Sequence, residues 1–145
     1  NKPVEAIAFL QDVGAEDTQK GVPYASEYPL MVSVKQAIQL KEMNPKMEVY
    51  IIFPEKRVSR KGYQEFLRRA EKEYDIRFIR GKAGEVGKDG ERYRIKSLNV
   101  ATGKVMEQVV DMVVLSTEWI PQEDAEEMAR ELGGMSGGFS GRHIR

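Results

Sequence analysis

The residues that could do chemistry in this chain are almost all carboxylates and amines. Among its 145 residues there is no cysteine and a single histidine, His143. Thiol catalysis, disulfides, Cys-ligated zinc and an iron–sulfur cluster held by this chain alone are therefore excluded. A multi-histidine metal site is impossible for the same reason. No catalytic residue and no metal ligand is predicted, and His143 has no assigned role.

Three acidic residues crowd the turn that follows the first predicted strand. Asp12, Glu16 and Asp17 lie there beside one glycine, Gly14. A dinucleotide site at a first strand-to-helix turn uses G-x-G-x-x-G, because glycines let the backbone approach the pyrophosphate. The turn therefore argues against dinucleotide binding. A weak site for a hard cation is a further interpretation of the three acids, but no regular ligand spacing favours it.

A second polar segment follows the second predicted strand. Glu55 stands where an acid would bind a ribose diol, although a solvated loop carboxylate is the favoured interpretation because the phosphate loop is missing. The basic residues after it could contact a phosphate or an acidic partner, or form an ordinary solvated loop, which is again favoured. These basic residues are Lys56, Arg57, Arg60 and Lys61.

Alternating apolar and helical segments must position these groups. Short apolar runs predict strands, and three-to-four-residue spacing predicts helices, with Asn44-Pro45 ending the first. The predicted elements are strands Glu5–Gln11, Glu48–Phe53 and Asp75–Ile79, helices Tyr28–Met43 and Tyr63–Tyr74, antiparallel strands Gly81–Val86, Arg92–Leu98 and Lys104–Val110, a buried parallel strand Asp111–Ser116, and a helix Asp124–Leu132.

This order predicts an α/β fold, a three-layer Rossmann-like βαβαβ unit with an antiparallel β-meander and a returning parallel strand. The domain spans residues 4–132, and residues 133–145 form a flexible Gly-rich tail. In the last helix Ala125, Met128, Ala129 and Leu132 are expected to face inward. Trp119 is expected in the core or in packing between domains.

The overall charge restricts the partners. Lys and Arg total 23, Asp and Glu total 23, and the formal net charge is zero. No global field therefore draws the chain to nucleic acid or to an anionic membrane. No apolar run approaches the ~20 residues of a membrane helix. The chain begins at Asn1, which suggests a piece of something longer, and a homo-oligomer is left open.

Four segments resemble a known family. They are FLQDVGAEDTQKGVPYASEYPLMVSVKQA (Phe9–Ala37), EVYIIFPEKRVSRKGYQEFLRRA (Glu48–Ala70), IRFIRGK (Ile76–Lys82) and DMVVLSTEWIP (Asp111–Pro121). The chain resembles the flavoprotein family that forms the A subunit of heterodisulfide reductase, with related subunits in quinone-interacting membrane-bound oxidoreductase complexes. That family looks like thioredoxin reductase, and this chain looks like its inserted pyridine-nucleotide-type domain.

The resemblance implies an FAD-containing parent protein that transfers electrons, with the rest of that chain and other redox subunits as partners. It implies a cytoplasmic location, with a membrane-associated complex left open. The family's cluster cysteines fall at Asp12, Ala25, Pro29 and Leu30 in this chain. An iron–sulfur cluster is therefore expected to be absent, because cluster iron needs thiolates. No cofactor is expected in this segment.

The family's A-T-G stretch reads Ser116-Thr117-Glu118 here, so Glu118 adds bulk and negative charge near a flavin contact. Together with the loop residues, the candidate cofactor-binding positions are Gly14, Glu55, Arg57 and Thr117.

Three functions remain open. The first is the inserted domain of an FAD-dependent electron-transfer oxidoreductase, without catalytic residues of its own. The second is a non-catalytic structural or docking domain that uses the Gly14–Pro29 loop and the basic residues. The third is a weak nucleotide-binding domain.

Overall fold

The computed structural model describes residues 3–16, 19 and 21–132. The predicted Gly-rich tail, His143 and Asp17 lie outside these residues. The elements are β1 (Ala6–Val13), α1 (Tyr28–Met43), β2 (Glu48–Phe53), α2 (Tyr63–Glu73), β3 (Arg77–Asp89), β4 (Arg92–Asn99), β5 (Lys104–Val110), β6 (Met112–Thr117) and α3 (Ala125–Glu131).

The strands lie in the order β5-β4-β3-β2-β1-β6. β1 pairs in parallel with β2 on one side and with β6 on the other, so that Phe9 lies between Ile51 and Val114. β3 extends the parallel part beside β2, and β4 and β5 continue as an antiparallel meander. The predicted Rossmann-like βαβαβ unit, meander and returning parallel strand are confirmed.

Alternating side chains of the central strands divide the core into two clusters, because successive strand residues point to opposite faces. On one face Ile7, Phe9 and Ile51 pack with residues of both long helices. On the other face Ala8 and Ile52 pack with residues of the meander. The helix-side cluster includes Leu30, Val34, Ala37, Ile38, Leu67 and Ala70, and the meander-side cluster includes Ile95 and Val110. Helices, sheet and meander therefore form the three predicted layers.

Helix α1 has the predicted bounds, and a buried lysine closes its end. Asn44 donates its N–H to the carbonyl of Leu40, and Pro45 follows. The Lys41 amine, in the buried face, donates to the carbonyls of Pro45 at 2.8 Å and Met47 at 3.0 Å. These bonds explain how a charged residue occupies the apolar face without an unpaired buried charge.

Two predictions about separate elements are wrong. The predicted strands Asp75–Ile79 and Gly81–Val86 are not separate: one strand, β3, begins at Arg77 and continues through both, pairing with β2 up to Arg80 and with β4 from Gly81. Of the α3 side chains that the structure describes, only Ala129 is buried, and both Met128 and the following Leu132 are exposed. Helix α3 has only seven residues, about two turns, so it can place few of its apolar side chains against the rest of the protein.

Strand β6 is parallel, as predicted, but it is not buried. It lies at the sheet edge, and none of its six residues is buried. Trp119, which lies just after β6, is 63% exposed, so it does not belong to the core, and packing between domains stays a prediction. No helix in the described part of the chain is long and apolar enough to cross a membrane.

Candidate functional site

The carboxyl ends of the parallel strands meet beside the N-terminus of α1. β1 lies between β2 and β6. After β1 the chain continues to β2 on one side, and it returns to the other side of β1 only with β6. In open α/β sheets this change of direction opens a crevice at the carboxyl edge, where ligands usually bind. The described candidate residues all lie around this edge.

A small polar cluster lies at this edge of the sheet. Gln11, near the end of β1, donates its side-chain amide to Ser33 Oγ at 2.9 Å and to Ser116 Oγ at 3.2 Å. The two serine hydroxyls lie 2.8 Å apart. Gln11 and Ser33 are buried. These bonds therefore join β1, α1 and β6 and satisfy the buried amide nitrogen of Gln11, whereas its Oε1 is buried without a hydrogen-bond partner among the described residues.

Three carboxylates surround Arg57 at the same edge of the sheet. Its Nη2 lies 2.7 Å from Glu16 Oε1 and 3.1 Å from Glu55 Oε2, and its Nε lies 4.0 Å from Asp12 Oδ2. Glu55 and Glu16 are well exposed, while the Asp12 side chain is 12% exposed. One cation therefore faces three anions, and its charge is already engaged within the chain.

The Asp12 carboxyl sits in an unfavourable electrostatic environment. The pKa of Asp12 is raised from 3.8 to about 6: burial is the largest cause, Arg57 acts in the opposite direction, and the charges of Glu118, Glu16 and Glu55 add to the increase. Asp12 also has a positive φ of 57° at an irregularity of the β1–β6 pairing, and Gly14 follows with a φ of 76°. The positive φ values turn the chain sharply out of the strand.

A carboxylate occupies the approach to the N-terminus of α1. Ser26 donates its backbone N–H to Glu118 at 2.9 Å and its hydroxyl to the same carboxylate at 2.8 Å. The next residue, Glu27, accepts bonds from the N–H and hydroxyl of Ser59 and pairs with Arg60 at 2.5 Å. Burial by itself would raise the pKa of Glu27, but the hydrogen bonds from Ser59 and Arg60 outweigh it and lower the pKa below its ordinary value.

Aromatic side chains hold the segment after β6, which contains Glu118 and Trp119, against the start of α1 and the loop before it. Tyr24 donates its hydroxyl to the carbonyl of Trp119 at 3.0 Å. The rings of Tyr28 and Trp119 are stacked at 5.6 Å with an interplanar angle of 10°, and the Arg60 guanidinium lies 5.0 Å from the centre of the Tyr28 ring. The segment after β6 is therefore joined to the loop before α1 through Tyr24 and to the first residue of α1 through Tyr28.

The residues present do not fit a bound pyridine nucleotide or an iron–sulfur cluster. Glu118 already accepts the Ser26 N–H, a donor that a phosphate would need, and Pro29 removes another amide from the first helical turn. Leu30 is part of the core, and the chain has no thiolate. Within residues 3–16, 19 and 21–132, no His, Cys, Asp or Glu side chains are grouped as metal ligands.

All four candidate cofactor positions lie at this edge, although their assignment to a cofactor stays a prediction. Glu55 and Arg57 are paired with each other, Gly14 lies in the turn between Asp12 and Glu16, and Thr117 pairs with Val13. Two of the four basic residues form ion pairs within the chain, Arg57 with Glu16 and Arg60 with Glu27. The interpretation of that group as a phosphate contact is weakened accordingly.

Sequence reasoning missed the other participants, namely Tyr24, Ser26, Glu27, Tyr28 and Ser33. One signal was available: Gln11 is a polar residue that ends an apolar run, which is unusual for a strand buried on both faces. The remaining contacts depend on residues far apart in the chain.

Replacing Glu118 by alanine is expected to loosen the loop before α1. The two bonds from Ser26 are lost, so we expect a loss of about 1 kcal/mol in the free energy of unfolding and faster hydrogen exchange at the Ser26 amide. Glu123→Ala, an exposed change nearby, is the matched control. Unchanged exchange at Ser26 would contradict this account of the segment.

Comparison with known proteins supplies relatives for most of the chain. No protein-family model matches it. It is 35% identical over 127 residues to an iron-sulfur A subunit of a CoB–CoM heterodisulfide reductase from Methanopyrus kandleri, covering 86% of this chain and 19% of that protein. It is 36% identical over 128 residues to the A subunit of an H2:CoB-CoM heterodisulfide,ferredoxin reductase from Methanothermobacter marburgensis, covering 88% of this chain and 19% of that protein.

A third relative, a protein of Archaeoglobus profundus named for its likeness to the A subunit of heterodisulfide reductase, is 33% identical over 143 residues. The match covers 96% of this chain and 20% of that protein. The similarity to the A subunit of heterodisulfide reductase is therefore confirmed. The chain spans about a fifth of the length of the curated relatives it matches.

Solved structures show the same fold. A thioredoxin reductase of Lactococcus lactis matches with a TM-score of 0.51 at 20% identity, over 90% of this chain and 35% of that one. An ornithine N-hydroxylase of Kutzneria matches with a TM-score of 0.52 at 11% identity, over 83% of this chain and 37% of that one. These likenesses establish the Rossmann-like fold and nothing about chemistry.

Proposed function

We propose that residues 4–132 are the inserted domain of a longer FAD-dependent electron-transfer protein of the kind found in heterodisulfide reductase. The names of the relatives and the fraction of their length that this chain spans support this proposal. The domain type is the one that binds NAD(P) in related folds. In our proposal FAD is bound by other parts of the parent protein, and this domain carries no redox group of its own.

One observation supports the proposal that this domain binds no nucleotide or redox group of its own. The donors that would receive a nucleotide phosphate are used inside the chain, Ser26 by Glu118 and Arg57 by Glu16 and Glu55. A phosphate arriving at this edge would meet an excess of carboxylates. The domain then contributes structure, and its partners are the rest of the flavoprotein and other redox subunits, in the cytoplasm or in a membrane-associated complex.

The test compares the purified parent protein with the 145-residue chain. We expect a flavin absorption spectrum and bound FAD in the parent, and no visible absorption, no iron and no binding of FAD or NADPH by the chain. A colourless parent would contradict the electron-transfer proposal. An isolated chain that binds NADPH would contradict the account of the occupied site, and would favour the nucleotide-binding alternative.

A structural or docking domain is the second candidate. The observation that favours it is the set of exposed large apolar residues towards the C-terminal end of the described chain. Leu115 is 57% exposed and Ile120 is 69% exposed, beside the exposed Trp119. The basic residues named from the sequence support it less well, because Arg57 and Arg60 are engaged internally. This function needs no flavin in the parent, which separates it from the first candidate.

A further inference from the structure

A cavity opens on the helix side of the sheet, at the carboxyl end of β2. Its volume is about 220 Å³, and it is lined by α2, the first turn of α1, the segment after β2 and the start of β3. The cavity is smaller than the roughly 300–1,000 Å³ of pockets that hold drug-sized ligands. It is therefore a place for a small molecule, and not for a dinucleotide or a flavin nucleotide.

Four apolar side chains form the inner wall of this cavity. Leu30, Phe53 and Leu67 belong to the buried helix-side cluster, and Phe78 packs against that cluster while it stays partly exposed. The rings of Phe53 and Phe78 lie 6.3 Å apart at an interplanar angle of 70°, which is an edge-to-face contact. β3 continues directly to β4, with no helix between them to cover Phe78. The wall therefore suits the aliphatic or aromatic part of a ligand.

Two side chains of opposite charge line the same cavity. They are Lys56, from the segment after β2, and Glu71, from α2, and both are exposed. Neither side chain forms an ion pair or a hydrogen bond with another residue that the structure describes, and they do not pair with each other. A further cation of the lining, Arg68, already donates both Nε and Nη2 to Glu65. The cavity therefore offers a ligand one cation and one anion that are not engaged by described residues.

We propose that this cavity binds a free amino acid with an apolar side chain. The carboxylate of the ligand pairs with the Lys56 amine, its ammonium group pairs with the Glu71 carboxylate, and its side chain packs against Phe53 and Phe78. Both charges of an amino acid are attached to one carbon, so one small ligand satisfies both groups. A dicarboxylate or a phosphate would bring like charge to Glu71, and an uncharged apolar molecule would leave both charges unpaired. This inference does not depend on a flavin or on the activity of a parent protein.

The experiment titrates the 145-residue chain with L-phenylalanine and with L-leucine, and follows the NMR chemical shifts of the backbone amides. We expect saturable shifts at the amides of the cavity lining, namely Phe53, Lys56, Leu67, Glu71 and Phe78. Two analogues of L-phenylalanine test the charges, because 3-phenylpropionate lacks the ammonium group and 2-phenylethylamine lacks the carboxylate. Each analogue should bind about fivefold more weakly than L-phenylalanine, since each leaves one charge of the cavity without a partner.

Variants assign each charge to its partner. Lys56→Gln should bind L-phenylalanine no better than 2-phenylethylamine, and Glu71→Gln should bind it no better than 3-phenylpropionate, because the matching charge is gone. Lys61→Gln, an exposed change in the same loop outside the cavity lining, is the matched control and should leave binding unchanged. Urea denaturation shows whether the variants fold, and the analogues test the original chain in either case. No saturable shift with either amino acid, equal binding of L-phenylalanine and both analogues, or shifts confined to residues outside the cavity overturns the proposal.

Discussion

Asp12→Asn is expected to stabilise the protein by about 2–3 kcal/mol at neutral pH. The folded chain holds the pKa of Asp12 at about 6, against 3.8 as the ordinary value, because the carboxyl is buried and faces the charges of Glu118, Glu16 and Glu55, and Arg57 offsets this only in part. A difference of about two pKa units corresponds to about 3 kcal/mol. Asparagine removes the charge and tolerates the positive φ at this position.

The direction of the pH dependence follows from the raised pKa. Between about pH 4 and pH 6 the folded state binds more protons at Asp12 than the unfolded state does. The free energy of unfolding therefore falls as the pH rises through this window, and the destabilisation is complete above it. In Asp12→Asn this contribution disappears, so the two proteins should be about equally stable near pH 4 and should diverge towards neutral pH.

Urea denaturation across this pH range measures the effect. Glu55→Gln is the matched control, because Glu55 contacts the same Arg57 but is 61% exposed, and its replacement should change the stability at neutral pH by only a few tenths of a kcal/mol. Equal stability of Asp12→Asn and the original chain at neutral pH would show that Arg57 fully compensates the buried charge.

Gly81→Ala is expected to destabilise the protein by about 3 kcal/mol. A Cβ at Gly81 would lie 2.2 Å from the carbonyl oxygen of Leu98 and 3.0 Å from its carbonyl carbon. Both atoms belong to the backbone of the neighbouring strand, so no side-chain rotation relieves the clash. β3 changes its pairing from β2 to β4 at this residue, and the close approach of β4 requires a residue without a side chain.

The same strand offers the control. A Cβ at Gly84 would meet no atom within 4 Å, and its φ is not in the positive range. Gly84→Ala should therefore be close to neutral in a denaturation experiment. Similar losses from both substitutions would mean that strand flexibility, rather than the contact with Leu98, explains the glycines of β3.

Much of the fold could be predicted because its signals are local. The apolar spacing of α1 and α2, the β-branched run of β2 and the turn residues of the meander each lie within one element or one turn. The glycine at which β3 passes from one partner strand to the next is different. Gly81 resembles an ordinary break between strands, because the carbonyl of Leu98 that excludes a Cβ is contributed by another strand.

The sequence predicted the edge of the sheet at which the candidate site lies, but not which of its side chains contact one another. That Asp12, Glu55 and Thr117 each lie at or just after the end of a strand already placed them at one edge of a parallel sheet. The sequence did not show which charged side chains form pairs. Arg57 reaches Glu16 across 41 residues, and Glu118 reaches Ser26 across 92.

The residue types alone excluded a thiolate-bound cluster in this chain, since they contain no cysteine, and periodicity alone indicated the order of strands and helices. Three features came only from the assembled sheet: the occupied N-terminus of α1, the raised pKa of Asp12 and the exposure of β6 at the edge of the described sheet. The reason is physical. Periodicity acts between residues a few positions apart, whereas burial, charge pairing and edge exposure depend on which distant strands become neighbours.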